Sequence, residues 1–418
     1  MSRLSLLRSA ELEFALRFAA NRTAAADEAE GRSPAAVSGP RARVTLPEPT
    51  GPHDIGVGSV RLVDPARPDP WKPDRKRELM VSIWYPARGV ERLPLASWIS
   101  PGLAPALDES LLPLGVPRGR VDWAATRTHG HTGAPVDLSH GAWPVVLFSP
   151  GFIGSRVLYT VLAEELASRG YVVVAMDHTY ETFAVEFPDG RVEVAEPMPV
   201  LTEPLDLLEL LVLRRYVQTA VDARVGDTLF VLDLLTGRRS DVERPALVEG
   251  IGAGVLDLSK IGMFGHSLGG FTAGEAMHDD ERKRIRAGVN LDGPIGDVAT
   301  SGLDQPFMLM GRQCMNHLTD TMWGEFWSNL RGVKLDLTLV DSGHLSFSDV
   351  QVFLPQLVAQ GIPLDTLVRG IGTIVPARAI AAQGAYIGAF FDQYLRGLSP
   401  NPPLDGPSPD FPEITFVT

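Results

Sequence analysis

One cysteine, Cys314, stands in a chain of 418 residues, so no disulfide forms within it and no cysteine-rich metal site can be assembled. The neighbouring stretch MLMGRQCMNH reads as half-buried, which makes Cys314 a packing thiol. Positive charge is also scarce. Against 51 Asp and Glu there are 38 Lys and Arg, a formal net charge of −13. Neutralising phosphates needs a basic footprint, so nucleic acid is excluded as a partner. The acidity disfavours anionic membranes and leaves contact with zwitterionic lipid open. No run of about 18 apolar residues occurs, so nothing is expected to span a bilayer. The N-terminal stretch lacks a secretory apolar core, because Arg8, Glu11, Glu13 and Arg17 interrupt every apolar run. Leu4, Leu7, Leu12, Ala15, Leu16 and Ala19 instead share one broad helical face. The expectation is a cytoplasmic chain with no signal peptide.

What is present is a globular composition, 44% hydrophobic and 21% charged. Residues 1–50 read as a helical and linker extension, 51–400 as one domain and 401–418 as a tail. Within the domain, ELMVSIWYPA (78–87) alternates like an antiparallel strand, and 95–140 is proline-rich and irregular. Then WPVVLFSPG (143–151), YVVVAMDH (171–178), the strand before Ser267, RAGVNLDG (286–293), PFMLMG (306–311) and KLDLTLVDSGH (334–344) read as strands. Helical stretches separate them: 157–170, 203–236 and the run after Gly269, with a last long helix near the C-terminus. Strands apolar on both faces, alternating with helices, imply a parallel sheet covered on both sides. That order is the α/β-hydrolase arrangement.

The stretch LSKIGMFGHSLGGFTAGEA (258–276) starts as a strand and ends as a helix, with Ser267 at the corner among Gly265, Gly269 and Gly270. A strand turning abruptly into a helix exposes its corner hydroxyl, and glycines let strand and helix pass each other. Ser267 is therefore the candidate nucleophile, and the Leu268 amide at the helix start a candidate oxyanion donor. A second donor is expected in FSPGFIGSR, where Gly151 admits close backbone approach and Phe152 supplies the amide.

A nucleophilic serine needs a base and an orienting carboxylate. After Ser267 only His278, His317 and His344 remain. His278 falls on the helix after the corner, whereas His344 follows the last strand directly, with His317 in reserve. For the acid, Asp292 ends the strand GVNLDG, and Asp320 is the rival after the next strand. Asp341 lies too near His344 in sequence.

Together SIWYPA, WPVVLFSPGFIG, VVVAMDHTYET, LDLSKIGMFGHSLGG, GVNLDG and GHLSFSD resemble the platelet-activating factor acetylhydrolases of the plasma and intracellular type II kind, over residues 55–397. The resemblance implies the acid after the strand that follows the nucleophile, which favours Asp292. It also implies an oxyanion amide at Phe152. A histidine is usual there where this chain has Pro150, so the hydrogen bonding of that loop differs. Members of the family release short or oxidised sn-2 acyl groups from phospholipids without calcium, which implies a lipid ester substrate, no metal and no cofactor. A Ser–His–Asp set with an oxyanion hole likewise needs no Lewis acid, and the close pair His129 and His131 reads as a surface turn. A polyester or xenobiotic esterase of the cutinase-like kind is the first alternative. A non-catalytic protein on the same scaffold is the second. Two apolar stretches, 204–216 and 98–117, read either as a lid or acyl pocket or as plain core.

Overall fold

The computed structural model describes residues 41–199, 207–239, 241–242, 254–361, 368, 370–399 and 404–418; the expected helix near Leu4–Ala19 and the first part of the 204–216 stretch lie outside them. Thirteen strands occur among these residues: β1 (Asp54–Pro68), β2 (Lys76–Ala87), β3 (Leu95–Ser97), β4 (Arg127–Thr132), β5 (Trp143–Ser149), β6 (Val172–His178), β7 (Ala184–Glu186), β8 (Val192–Val194), β9 (Leu256–His266), β10 (Ile285–Leu291), β11 (Phe307–Arg312), β12 (Lys334–Leu339) and β13 (Ile414–Phe416). Eleven form one sheet in the order β13-β12-β11-β10-β9-β5-β6-β2-β1-β4-β3, while β7 and β8 pair separately.

From β6 through β5 to β12 every neighbouring pair is parallel. The chain leaves β5 for β6 on one side and returns to β9 on the other. The order thus reverses beside β5, and the carboxyl ends of β5 and β9 open a crevice at that switch point. The crossovers are helical: α2 (Thr160–Ser168) after β5, α3 (Leu207–Leu235) before β9, α4 (Leu268–Asp279) after β9 and α6 (Thr321–Asn329) after β11. Short α1 (Ala104–Leu111) precedes β4, short α5 (Val298–Ser301) precedes β11, and α7 (Val350–Val358) and α8 (Pro376–Tyr394) follow β12.

Strand periodicity explains the layers. Along β5, Val145 and Leu147 face one cluster with Met263, Ala276 and Phe230 of α3. Val146 and Phe148 face the other, with Leu166 of α2 and Phe390 and Phe391 of α8. Side chains alternate in direction along a strand, so apolar residues at every position need a covered sheet on both sides.

Residues at both ends of the domain pack against it, and one expectation, the packing thiol, changes. Residues 41–50 run along the domain, with Ala42, Val44 and Leu46 buried and Ala42 bridged to Val121, because their apolar side chains alternate with polar ones. Residues 404–418 add an edge strand, β13 pairing antiparallel with β12. Cys314 is exposed. The hydropathy of its neighbours belongs to β11, and the chain turns outward after Arg312, with Cys314 at a φ of 68°. The stretch 98–117 is core: Trp98, Ile99, Leu103, Leu107, Leu111, Leu114 and Val116 are buried. No helix among the described residues is long and apolar enough to cross a membrane.

Candidate active site

Ser267 sits between β9 and α4 with φ 56° and ψ −126°. A non-glycine residue in that region costs about 1–3 kcal/mol, so the surroundings must impose it. They do so by close approach. A Cβ on Gly265 would lie 2.1 Å from the carbonyl oxygen of Gly269, and one on Gly269 would lie 1.9 Å from that of Ser149. Strand, helix and the end of β5 thus meet at van der Waals limits that only glycine allows.

Asp292 follows β10 directly. Its backbone is left-handed (φ 51°) and its amide donates to the Met310 carbonyl at 2.9 Å. His344 opens a 3₁₀ turn beyond β12, where the Asp341 carbonyl accepts from Thr373 and Ile374, and Ser346 Oγ donates to Ile371. These supports bring the imidazole to the carboxylate: His344 Nδ1 and Asp292 Oδ2 are 2.6 Å apart. Arg312, at the end of β11, donates to Asp292 through its backbone N–H at 2.8 Å and through its guanidinium. Burial raises the proton affinity of Asp292, but the hydrogen bond from His344 and the Arg312 charge outweigh it and hold the carboxyl below its ordinary value.

The rivals are engaged elsewhere. Asp320 caps α6, accepting from the amides of Met322 and Trp323. His317 pairs with Asp336 at 2.6 Å and stacks on Trp327. His278 is exposed at the end of α4 beside Asp279. His129 bonds Glu164, and His131 lies against the Leu93 carbonyl.

In the loop after β5, Gly151 N donates to Tyr159 Oη, Ile153 N to the Glu181 carbonyl and Gly154 N to the Gly151 carbonyl. Among the described residues the amides of Phe152 and Leu268 have no hydrogen-bond acceptor. The loop adjoins Ser267, for a Cβ on Gly151 would sit 3.3 Å from Ser267 Cβ. Phe152 also packs against the cluster that holds Leu268 and Phe271, as Trp71 and Val217 do, and its ring meets that of Tyr216 at 5.9 Å. Within the expected lid stretch, Leu213 is buried while Leu211 and Val212 are exposed.

Several supporting residues escaped the sequence reading. Arg224 of α3 donates to the Pro150 carbonyl at 2.6 Å and the Gly151 carbonyl at 3.4 Å, and its Nε bonds Glu181 at 2.6 Å. Burial pushes Glu181 up to about 7 against the pull of Arg224 and Arg77. Deeper still, Ser149 Oγ donates to His178 Nε2 at 2.9 Å, while His178 Nδ1 faces Asp227 at 2.9 Å. This Ser–His–Asp set is wholly buried, so it is structural. Burial pushes His178 down to about 4, which keeps the imidazole neutral. Asp227 also accepts from Arg77 and Arg67. Tyr159 Oη donates to His266 Nδ1 at 2.8 Å, and His266 Nε2 donates to the His344 carbonyl at 2.9 Å. Burial, with the charge of His344 next, pushes His266 well below its ordinary value, so this link too is neutral. The signal for these groups was polar residues inside apolar strands and helices, but their partners lie far away in sequence. A cavity of about 590 Å³ between α2, α7 and α8 is lined by none of Phe152, Ser267, Leu268, Asp292 or His344.

A charged acid, an imidazole on it, a strained serine hydroxyl and two unused amides are the parts of acyl transfer through a covalent intermediate. The profile of the family described as platelet-activating factor acetylhydrolase, isoform II, matches residues 39–189 and 253–395. A probable 1-alkyl-2-acetylglycerophosphocholine esterase of Arthroderma benhamiae is 30% identical over 405 residues, covering 89% of this chain and 93% of that protein. The platelet-activating factor acetylhydrolase of Cavia porcellus is 24% identical over 229 residues, covering 53% of this chain and 52% of that protein. A solved ferulic acid esterase from Streptomyces cinnamoneus superposes with a TM-score of 0.73 at 35% identity, covering 90% of this chain and 99% of that one. This chain is thus a serine ester hydrolase and belongs to the platelet-activating factor acetylhydrolase isoform II family.

Proposed function

We propose that Ser267 is the nucleophile, His344 its general base and Asp292 the acid that orients the base. The observation that carries this reading is the 2.6 Å contact of His344 Nδ1 with a buried, ionised Asp292, at the strand ends beside the corner that presents Ser267. With Nδ1–H donated to Asp292, Nε2 carries the lone pair that accepts a proton. Ser267 Oγ attacks the ester carbonyl and His344 takes its proton. The carbonyl oxygen becomes an oxyanion that the amides of Phe152 and Leu268 stabilise, each worth about 2.7–4 kcal/mol in such sites. The imidazolium protonates the leaving alcohol and the ester bond breaks. Water, deprotonated by His344, then releases the acid from Ser267. No step calls on a metal or a cofactor.

For the substrate, the family match supports a short or oxidised acyl group at the sn-2 position of a phospholipid, cleaved without calcium. Contact with the lipid surface would be transient, through apolar residues such as Leu211 and Val212. A second reading, an aryl ester, is favoured by the 35% identity to the ferulic acid esterase over 99% of its chain. The test pairs sn-2 acetyl and sn-2 palmitoyl phosphatidylcholine with methyl ferulate, each with wild type and Ser267→Ala, without calcium. Selective acetate release that the substitution abolishes supports the lipid reading. Turnover of methyl ferulate alone keeps Ser267 and overturns the phospholipid.

A further inference from the structure

Away from the crevice, two segments distant in sequence place two imidazoles and a carboxylate together. His53 precedes β1, and Asp137 and His140 belong to the loop before β5. One ligand atom from each lies within 4.8 Å of the others, and His53 Nδ1 is 4.0 Å from Asp137 Oδ2. We propose that these three side chains bind one divalent transition-metal ion of the zinc class, outside the catalytic crevice, tying the entry to β1 onto the loop that feeds β5.

The surroundings hold the ligands in place. His53 is anchored by its amide, which donates to the Ser168 carbonyl at 3.0 Å. Its ring meets the Trp143 ring edge-on at 5.0 Å, and the His140 ring lies 5.7 Å from the same indole. Trp143 Nε1 donates to the Asp137 carbonyl at 2.6 Å, so one buried indole braces all three residues. Asp137 Oδ1 accepts from the Ser139 amide at 2.9 Å, and Oδ2 is the oxygen that faces His53 Nδ1. His140 is exposed in a turn closed by Gly141, with φ 86°, and can swing.

Metal chemistry narrows the occupant. Zinc takes imidazole nitrogen at about 2.0–2.1 Å and carboxylate oxygen at about 2.0–2.2 Å, so tetrahedral ligands sit about 3.4 Å apart. Closing from the present spacing requires the exposed His140 imidazole to move by under about 1.5 Å and His53 and Asp137 to approach from 4.0 Å by about 0.6 Å. Two nitrogen donors disfavour calcium and magnesium, which select oxygen. Three protein ligands leave a position for water. The nearby positive charge of Arg396 is paired with Asp392 at 3.0 Å, and Asp54 adds negative charge.

The test is isothermal titration of the full chain with Zn²⁺ and, separately, with Ca²⁺. Wild type, His140→Ala and Asp137→Asn are compared, with Tm and ester hydrolysis read at the same metal concentrations. Wild type should bind one Zn²⁺ with a rise in Tm and show no response to Ca²⁺. Each substitution should weaken binding by about tenfold or more and remove the Tm shift. Metal-free Tm controls for folding, which surface-exposed His140 leaves intact. Equal Zn²⁺ affinity in the variants, no Zn²⁺ binding by wild type, or inhibition of hydrolysis by Zn²⁺ in step with binding would each overturn the site, the last by placing the ion on His344.

Discussion

Arg312 holds Asp292 from two directions, its backbone N–H on Oδ1 and its guanidinium on Oδ2, the oxygen that also faces His344. The guanidinium lies 3.3 Å from His344 Nδ1 as well, so Asp292 and His344 share one positive neighbour. Removing that charge leaves the burial of Asp292 less opposed. Its proton affinity rises, and the ionised form is lost at a higher pH than in wild type. The acid limb of kcat/KM should therefore move to higher pH in Arg312→Gln and by less in Arg312→Lys. A pH–rate profile that stays put in both would take Arg312 out of the mechanism.

Asp292 and Asp320 separate cleanly by measurement. Asp292→Asn should lower kcat by about 10⁴-fold, because the imidazole loses its orienting partner. Asp320→Ala removes a helix cap and should cost about 1 kcal/mol of stability with kcat unchanged. Ser267→Ala should remove about 10⁶-fold. A reversed pattern for the two aspartates would move the acid to the end of α6.

Arg224 reaches the loop after β5, which carries the proposed oxyanion donor Phe152, from α3, within the segment that the family profile does not match. Pro150 has no N–H to donate, and Arg224 holds the loop there through the Pro150 and Gly151 carbonyls. Losing the clamp should misplace the Phe152 amide and lower kcat by about 10²-fold with KM little changed. The variant to make is Arg224→Met with Glu181→Gln, which leaves no unpaired buried carboxylate. Arg224→Lys should restore part of kcat. A proportional loss of Tm and activity, without rescue, would make Arg224 merely structural.

His178 sets a pH limit on stability. Its folded-state affinity is pushed down to about 4 from 6.5, so the unfolded chain binds the extra proton between those values. The stability it contributes is complete above pH 6.5 and drains away as pH falls toward 4, by roughly 3 kcal/mol. Urea unfolding at pH 7 and pH 4.5 should show this loss in wild type and a flatter dependence in His178→Gln. Parallel slopes would mean that the proton goes elsewhere.

How much of this was legible depends on distance along the chain. Ser267 with its glycines and the apolar strands lie in single stretches, and their spacing carries the local geometry. Asp292 and His344 were legible as residues just beyond strand ends, which a parallel sheet collects on one edge. Arg312, Arg224, Tyr159 and the His53–Asp137–His140 group were not. Each acts through a partner on another strand or helix, and one sequence holds no record of such pairings. Cys314 failed for a different reason, because neighbour hydropathy cannot show where a strand ends.

The contact of Gly269 with the Ser149 carbonyl welds the Ser267 corner to the end of β5. Neither can drift without the other. New substrate ranges in this scaffold must therefore arise at the rim, where Trp71, Phe152 and Tyr216 meet, while the hearth beneath is inherited whole or lost.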